Sequence, residues 1–200
     1  MGLVDRVKNI LLNPRQEWEV IDGETATVGS LYTGYIIPLA AIGPVCQAIG
    51  YSVFGIHLPF VGTWRTPIGS AITSAIVTYI LTLVGVYVLG LIIDNLAPTF
   101  GGTRSAIQAL KVATYSYTAA WVAGFFALIP GLRFLTILGL YSLFLLYLGL
   151  PVLMKSPKEK AFAYTAVVII VAIVISVVIG VVAGRFIASP GMGAMGGYNP

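Results

Sequence analysis

Chemistry in this 200-residue chain would have to come from very few side chains. Asp94 closes an apolar run long enough to cross a bilayer, and Arg104 and Lys111 follow in the next connecting segment. A carboxylate at a membrane boundary is a candidate binding or coupling site, or else a solvated helix end paired with a nearby base. Lys155, Lys158 and Lys160 crowd the connection around Pro157 and place three more bases at the same level. These six residues form a candidate rim interaction site, since clustered bases at that depth attract anionic lipid headgroups. Catalytic chemistry finds little to work with. The sole histidine, His57, has no companion ligand set, and the sole cysteine, Cys46, lies inside an apolar run. There is no H-E-x-x-H motif, no second intramembrane aspartate, no serine with a histidine base and no Gly-rich loop for a phosphate. The expectation is therefore no enzyme, no cofactor and no metal.

The elements that position these residues are membrane helices. Apolar residues make up 58% of the chain and charged residues only 9%, too few polar groups to cover a soluble core. Five apolar stretches, near 31–54, 68–93, 112–129, 134–154 and 161–184, each approach or exceed the length that crosses the hydrocarbon. Backbone in lipid must satisfy its own hydrogen bonds, so these stretches are helices. Barrel strands would be shorter and would alternate polar with apolar, a pattern that is absent. The fold expected is all-α: a polytopic, five-span transmembrane bundle in residues 31–184. A cytoplasmic amphipathic segment over residues 1–30 precedes it, and a disordered tail over 185–200 follows. No signal peptide is expected, because the first thirty residues carry eight charges. With the N-terminus inside, Arg6, Lys8, Arg15, Arg104, Lys111, Lys155, Lys158 and Lys160 face the cytoplasm, against Arg65, Arg133 and Arg185 outside. Eight bases against three is a positive-inside bias, and it places the C-terminus outside. The net charge of +4 thus belongs to topology rather than to nucleic acid.

Several local patterns refine this outline. Leu3, Val4, Val7, Ile10 and Leu11 share one face of an amphipathic helix over 3–12, with Asp5, Arg6, Lys8 and Asn9 opposite. Asn13-Pro14 ends that helix and opens a second, with Asn13 and Gln16 in a capping-box-like pattern. Trp18 and Ile21 then suit the headgroup layer, or a packing surface on the cytoplasmic loops. Pro38 and Gly43-Pro44 kink the first span and, with Gln47, make a candidate cavity or a packing feature. Gln47 is expected to bond a neighbouring helix. Folding the chain at 131–132 brings Tyr117 level with Tyr147, and Tyr115 level with Gly149. In the last span Ala172, Ser176, Gly180 and Gly184 recur every fourth residue, a stripe that lets another helix of this chain or of a second copy approach.

The order of these features resembles a known family. Asn13-Pro14-Arg15-Gln16-Glu17-Trp18, then Tyr115-Ser116-Tyr117 with Ala120-Trp121 and Ile129-Pro130, resemble bacterial members of the Yip (Ypt-interacting protein) family. Leu140-Tyr141-Ser142 followed by Leu145-Leu146-Tyr147-Leu148-Gly149-Leu150-Pro151 carries the strongest likeness, and the whole extends from about Val7 to Gly184. The resemblance implies five spans, a cytoplasmic N-terminus and no catalytic residues. It also implies placement in a bacterial inner membrane, since the short form is similar to bacterial members. Eukaryotic relatives look like traffic factors that associate with prenylated small GTPases and with each other, and they carry a long N-terminal region that this chain lacks. The function expected is a non-enzymatic membrane organiser with anionic lipids, further copies or other membrane proteins as partners. The alternative is a small-solute or ion transporter.

Overall fold

The computed structural model describes residues 1–58 and 62–186. Two short helices, α1 (Leu3–Leu12) and α2 (Pro14–Gly23), precede a long helical rod, α3 (Val28–Phe54). A small antiparallel hairpin, β1 (Ile56–Leu58) and β2 (Gly62–Trp64), leads into α4 (Ile68–Leu96). Then come α5 (Ala106–Ser116), α6 (Thr118–Ala123), α7 (Tyr141–Leu153) and α8 (Lys158–Gly184). The expected tail falls mainly on residues 187–200, outside the described residues.

The fold is helical, and among the described residues four helices are long and apolar enough to cross a membrane: Val28–Phe54, Ile68–Phe100, Pro130–Leu153 and Lys158–Gly184. The expected stretch at 112–129 is helical too, but it is not one unbroken rod. It breaks at Tyr117 and tightens into a 3-10 segment over Gly124–Leu128. Thr118 donates its hydroxyl to the Tyr115 carbonyl at 2.7 Å, offering the backbone a local partner that competes with regular helix. A second 3-10 segment, Pro130–Leu140, carries the chain back into α7.

The prolines of α3 act as the sequence predicts. Proline has no N–H, and its ring collides with the carbonyl four residues earlier. Ahead of Pro38 the helix widens over Tyr32–Ile36, and ahead of Pro44 it breaks at Ala41. Asn13, by contrast, makes no side-chain cap to α2. A reciprocal cap forms instead at the start of α3, where Thr27 and Ser30 each accept the other's N–H.

Burial separates protein-facing from outward surfaces. Ile68, Ile72, Ile76, Ile80 and Val84 are exposed at every fourth position of α4, as are Ile170, Val174 and Val178 along α8. A soluble protein rarely presents such continuous apolar faces, whereas hydrocarbon accepts them. The inner face of α8 packs on α4, where a Cβ on Gly85 would meet Ile175 at 3.0 Å. The segment after α6 crosses α3 so closely that a Cβ on Gly124 would lie 2.8 Å from the Gly43 Cα, a contact only glycine allows. Arg133 stacks 4.2 Å over the Tyr51 ring, which puts the start of the Pro130–Leu140 segment at the same end as the end of α3.

Candidate functional site at the basic end of the bundle

At the opposite end, α1 and α2 do not lie apart from the bundle. Ile10, Trp18 and Ile21 are fully buried. The Trp18 ring covers Gly149 of α7, where a Cβ would come within 2.6 Å of it, and meets Tyr115 of α5 edge-on at 6.3 Å. Trp18 therefore packs against protein rather than in the headgroup layer. Tyr115 and Gly149 lie level, as the folded hairpin requires, through this shared indole. Tyr117 instead stacks on Trp121 at 5.8 Å, and Tyr147 is exposed.

A buried charge network holds the two helices down. Arg6, expected on the polar face of α1, is buried and bonds both Glu17 and Glu24, with its guanidinium 5.6 Å from the Tyr115 ring centre. Burial works against the Arg6 charge, but the bond to Glu24 and the neighbouring Glu24 and Glu17 charges outweigh it and hold the guanidinium above the ordinary arginine value. Lys111, one residue short of the apolar stretch, donates to the Ile21 carbonyl at 2.8 Å and to the Glu24 carbonyl. Burial pulls its ammonium below the ordinary lysine range, against Glu24 and Asp22. Gln108 reaches the Asp22 carbonyl at 3.1 Å, and Tyr141 donates to the Leu11 carbonyl at 3.2 Å.

The six rim residues named from sequence thus separate into three groups. Asp94 is buried, and Arg104 reaches it at 3.3 Å and Asn95 at 2.6 Å. Lys111 is no surface residue, since only 2% of it is exposed, and Lys155 pairs with Asp22. Lys155 also ends α7 in the left-handed region, at φ 54°. Lys158 and Lys160 stay exposed and, among the described residues, form no ion pair.

The other sequence candidates are placed as follows. Gln47 donates to the Tyr51 hydroxyl of its own helix at 3.4 Å, not to a neighbour, and the cavity beside Pro44 and Gln47 is about 10 Å³. Pro38 is exposed on α3 and does not line that cavity. Around Gly180 and Gly184 an added Cβ would meet nothing within 4 Å, so the lower stripe is not packed against the described residues. Ala172 and Ser176 border a groove of about 380 Å³ between α5, α7 and α8.

Comparison with known proteins fits this architecture. Residues 8–179 match the family model described as the Yip1 domain. The chain belongs to the Yip1 family. The Yip1 domain here begins inside α1 and ends inside α8, so it includes Glu17, Glu24, Asp94 and the three rim lysines, while Arg6 lies just before it. Two curated relatives are similar over most of their length: the inner membrane protein YohC of Escherichia coli K12 and that of Escherichia coli O6:H1. Each is 26% identical over 167 residues, covering 82% of this chain and 86% of the relative. No solved structure matches the chain.

Sequence reading missed Arg6, Glu17, Glu24 and Asp22 as a group. A faint signal existed. Arg6 stands four residues before Ile10, and Glu17 four before Ile21, so each charge shares a helix face with a buried isoleucine.

Proposed function

We propose that this Yip1-family protein is a non-enzymatic organiser of a bacterial inner membrane that binds anionic lipid at its cytoplasmic rim. It crosses the bilayer five times, with 112–129 as the third crossing, its N-terminus inside and its C-terminus outside. The eight-to-three split of bases supports that orientation. The relatives' name as inner membrane proteins supports the compartment. In this arrangement α1 and α2 lie at the cytoplasmic interface, with exposed Val4 and Leu12 available to the headgroup layer and their buried faces on the bundle.

One observation carries the lipid reading: the charges at the basic end are sorted. Arg6, Lys111, Lys155 and Arg104 are engaged by the protein's own oxygens, whereas Lys158 and Lys160 at the start of α8, like the exposed Lys8 and Arg15 of α1 and α2, form no ion pair among the described residues. Free bases at the rim gain about 1 kcal/mol each from an anionic membrane surface. A transporter of charged solutes needs ionisable partners near the midplane. Here the ionisable carboxylate nearest the spans, Asp94, is tied to Arg104 at the rim. Purified protein in liposomes is expected to carry no selective ion or solute flux. A flux abolished by Asp94→Asn would replace the organiser with a transporter.

A further inference from the structure

Arg133 is a charge without a counter-ion at the end of the bundle away from α1 and α2. All seven acidic side chains fall within residues 5–24 or at Asp94 and Glu159, and so at the basic end. Among the described residues the Arg133 guanidinium makes no ion pair and donates no hydrogen bond. Yet it is not a loose surface group. It is half-buried and stacked 4.2 Å over the Tyr51 ring, with Nη2 closed off by protein. Nε and Nη1 are not closed off, so the guanidinium is inserted by one edge and open at the other. The elements around it are tied together. The Thr66 N–H bonds the Tyr51 carbonyl at 3.1 Å, and Gln47 donates to the Tyr51 hydroxyl at 3.4 Å. Thr136 closes the turn at Arg133 by donating its hydroxyl to the Arg133 carbonyl at 2.7 Å. The neighbouring surface is apolar and faces outward. Side chains three apart eclipse in a 3-10 segment, so Phe134, Ile137 and Leu140, all exposed, make one row beside Arg133. Phe54 and Ile129 are exposed as well. An arginine where such a surface ends lays its stem on apolar groups and its head among lipid headgroups.

We propose that Arg133, held by Tyr51, binds the phosphate of a membrane phospholipid in the leaflet opposite the rim lysines, with an acyl chain along Phe134 and Ile137. Each part of that chemistry has a cause. A fixed guanidinium that the chain leaves uncompensated favours an anion, and its planar fork matches phosphate oxygens. At headgroup depth every phospholipid supplies a phosphate. Stacking on Tyr51 holds the fork in place before the lipid arrives, which lowers the ordering cost of binding. The exposed row supplies apolar contact that a soluble anion would not use. The site is independent of lipid binding at the rim. Lys158 and Lys160 respond to the net charge of a surface, whereas Arg133 reads a phosphate and accepts a zwitterionic phospholipid.

The test uses full-length protein in maltoside micelles, which carry no phosphate, with a phosphatidylcholine bearing an acyl-chain diazirine as probe. Crosslinked residues are mapped by mass spectrometry. Saturable labelling at Phe134, Ile137 or Phe54 is expected, displaced by dioleoylphosphatidylcholine but not by dioleoylglycerol, which has the same chains and no phosphate. Arg133→Gln should weaken binding by about tenfold to hundredfold, the loss of a charge-assisted pair. Arg133→Lys keeps the charge without the fork and should still lose about three- to tenfold. Thermal stability should hold in both variants, because neither breaks an ion pair, and Arg133→Lys decides the case should Arg133→Gln fail to fold. Lys158→Gln with Lys160→Gln should leave the labelling intact, which keeps this site separate from the rim. Displacement by dioleoylglycerol as effective as by dioleoylphosphatidylcholine overturns the proposal, because the surface would then be merely apolar. So does labelling indifferent to both Arg133 variants. Displacement by inorganic phosphate alone also overturns it, because the site would then take a soluble anion rather than a lipid.

Discussion

Replacing Arg6 with methionine should release α1 and α2 from the bundle. The side chain of Glu17 is 6% exposed and that of Glu24 is 40% exposed, so the two partners of Arg6 lose very different amounts. Glu24 can turn to water, and its pair is worth no more than about 1 kcal/mol. Glu17 would be left as a buried carboxylate without its guanidinium, which costs about 3–5 kcal/mol. The cheapest relief is for the helix pair to lift, since α2 meets the bundle chiefly through Trp18, Ile21 and the carbonyls taken by Lys111. Amide hydrogen exchange over residues 3–24, in nanodiscs, reads that opening. A shift of about 3–5 kcal/mol corresponds to roughly 10²- to 5 × 10³-fold faster exchange. Peptides from α4 and α8 should be unchanged. Adding Glu17→Gln to Arg6→Met removes the stranded charge and should recover most of the protection. If Arg6→Met leaves exchange over α1 and α2 unaltered, or if the double variant opens as readily as the single one, the buried pair does not hold these helices.

Further outcomes follow from the same contacts. Gly149→Ala should displace Trp18 and destabilise the α2 contact by about 1–3 kcal/mol, read by exchange over α2, with partial rescue by Trp18→Leu. Topology reporters placed after Gly23, in the Pro157 connection and after Gly184 should read inside, inside and outside; an inside signal at the last position rules out five crossings. Gly180→Leu should leave the thermal stability of the monomer within about 0.5 kcal/mol, because nothing lies within 4 Å of its Cβ position; a clear loss of monomer stability would mean that the stripe packs inside the chain after all.

Much of this fold was legible in residue type alone. Long apolar runs without charge dictate helices in lipid, and Pro38 and Pro44 dictate where α3 widens and breaks. The family could also be read, because the order of Asn13-Pro14, the Tyr115-Ser116-Tyr117 group and the Tyr141-to-Pro151 run is more specific than any one of them. The basic end was legible only in outline. Charge count places Arg6, Lys111 and Lys155 at one level, but not which of them turns inward. That depends on contacts between residues up to 133 positions apart, such as Lys155 with Asp22, which no local period encodes. Trp18 shows the same limit. An indole and a narrow apolar face suit a headgroup layer and a glycine-floored notch equally, and only the position of Gly149 decides between them. Gln47 found a partner one turn away in its own helix, a choice that polarity at membrane depth does not specify.

The most direct measurement is the affinity of the purified protein for phosphatidylglycerol, compared with phosphatidylcholine, before and after Lys158→Gln with Lys160→Gln. Two free bases at about 1 kcal/mol each predict a loss of roughly tenfold to thirtyfold for the anionic lipid, shrinking as salt is raised. Lys155→Gln alone should change the affinity little, because Lys155 is engaged by Asp22. Equal affinity for the two lipids in the unmodified protein, or an anionic preference that survives loss of both lysines, would contradict lipid recognition at the start of α8.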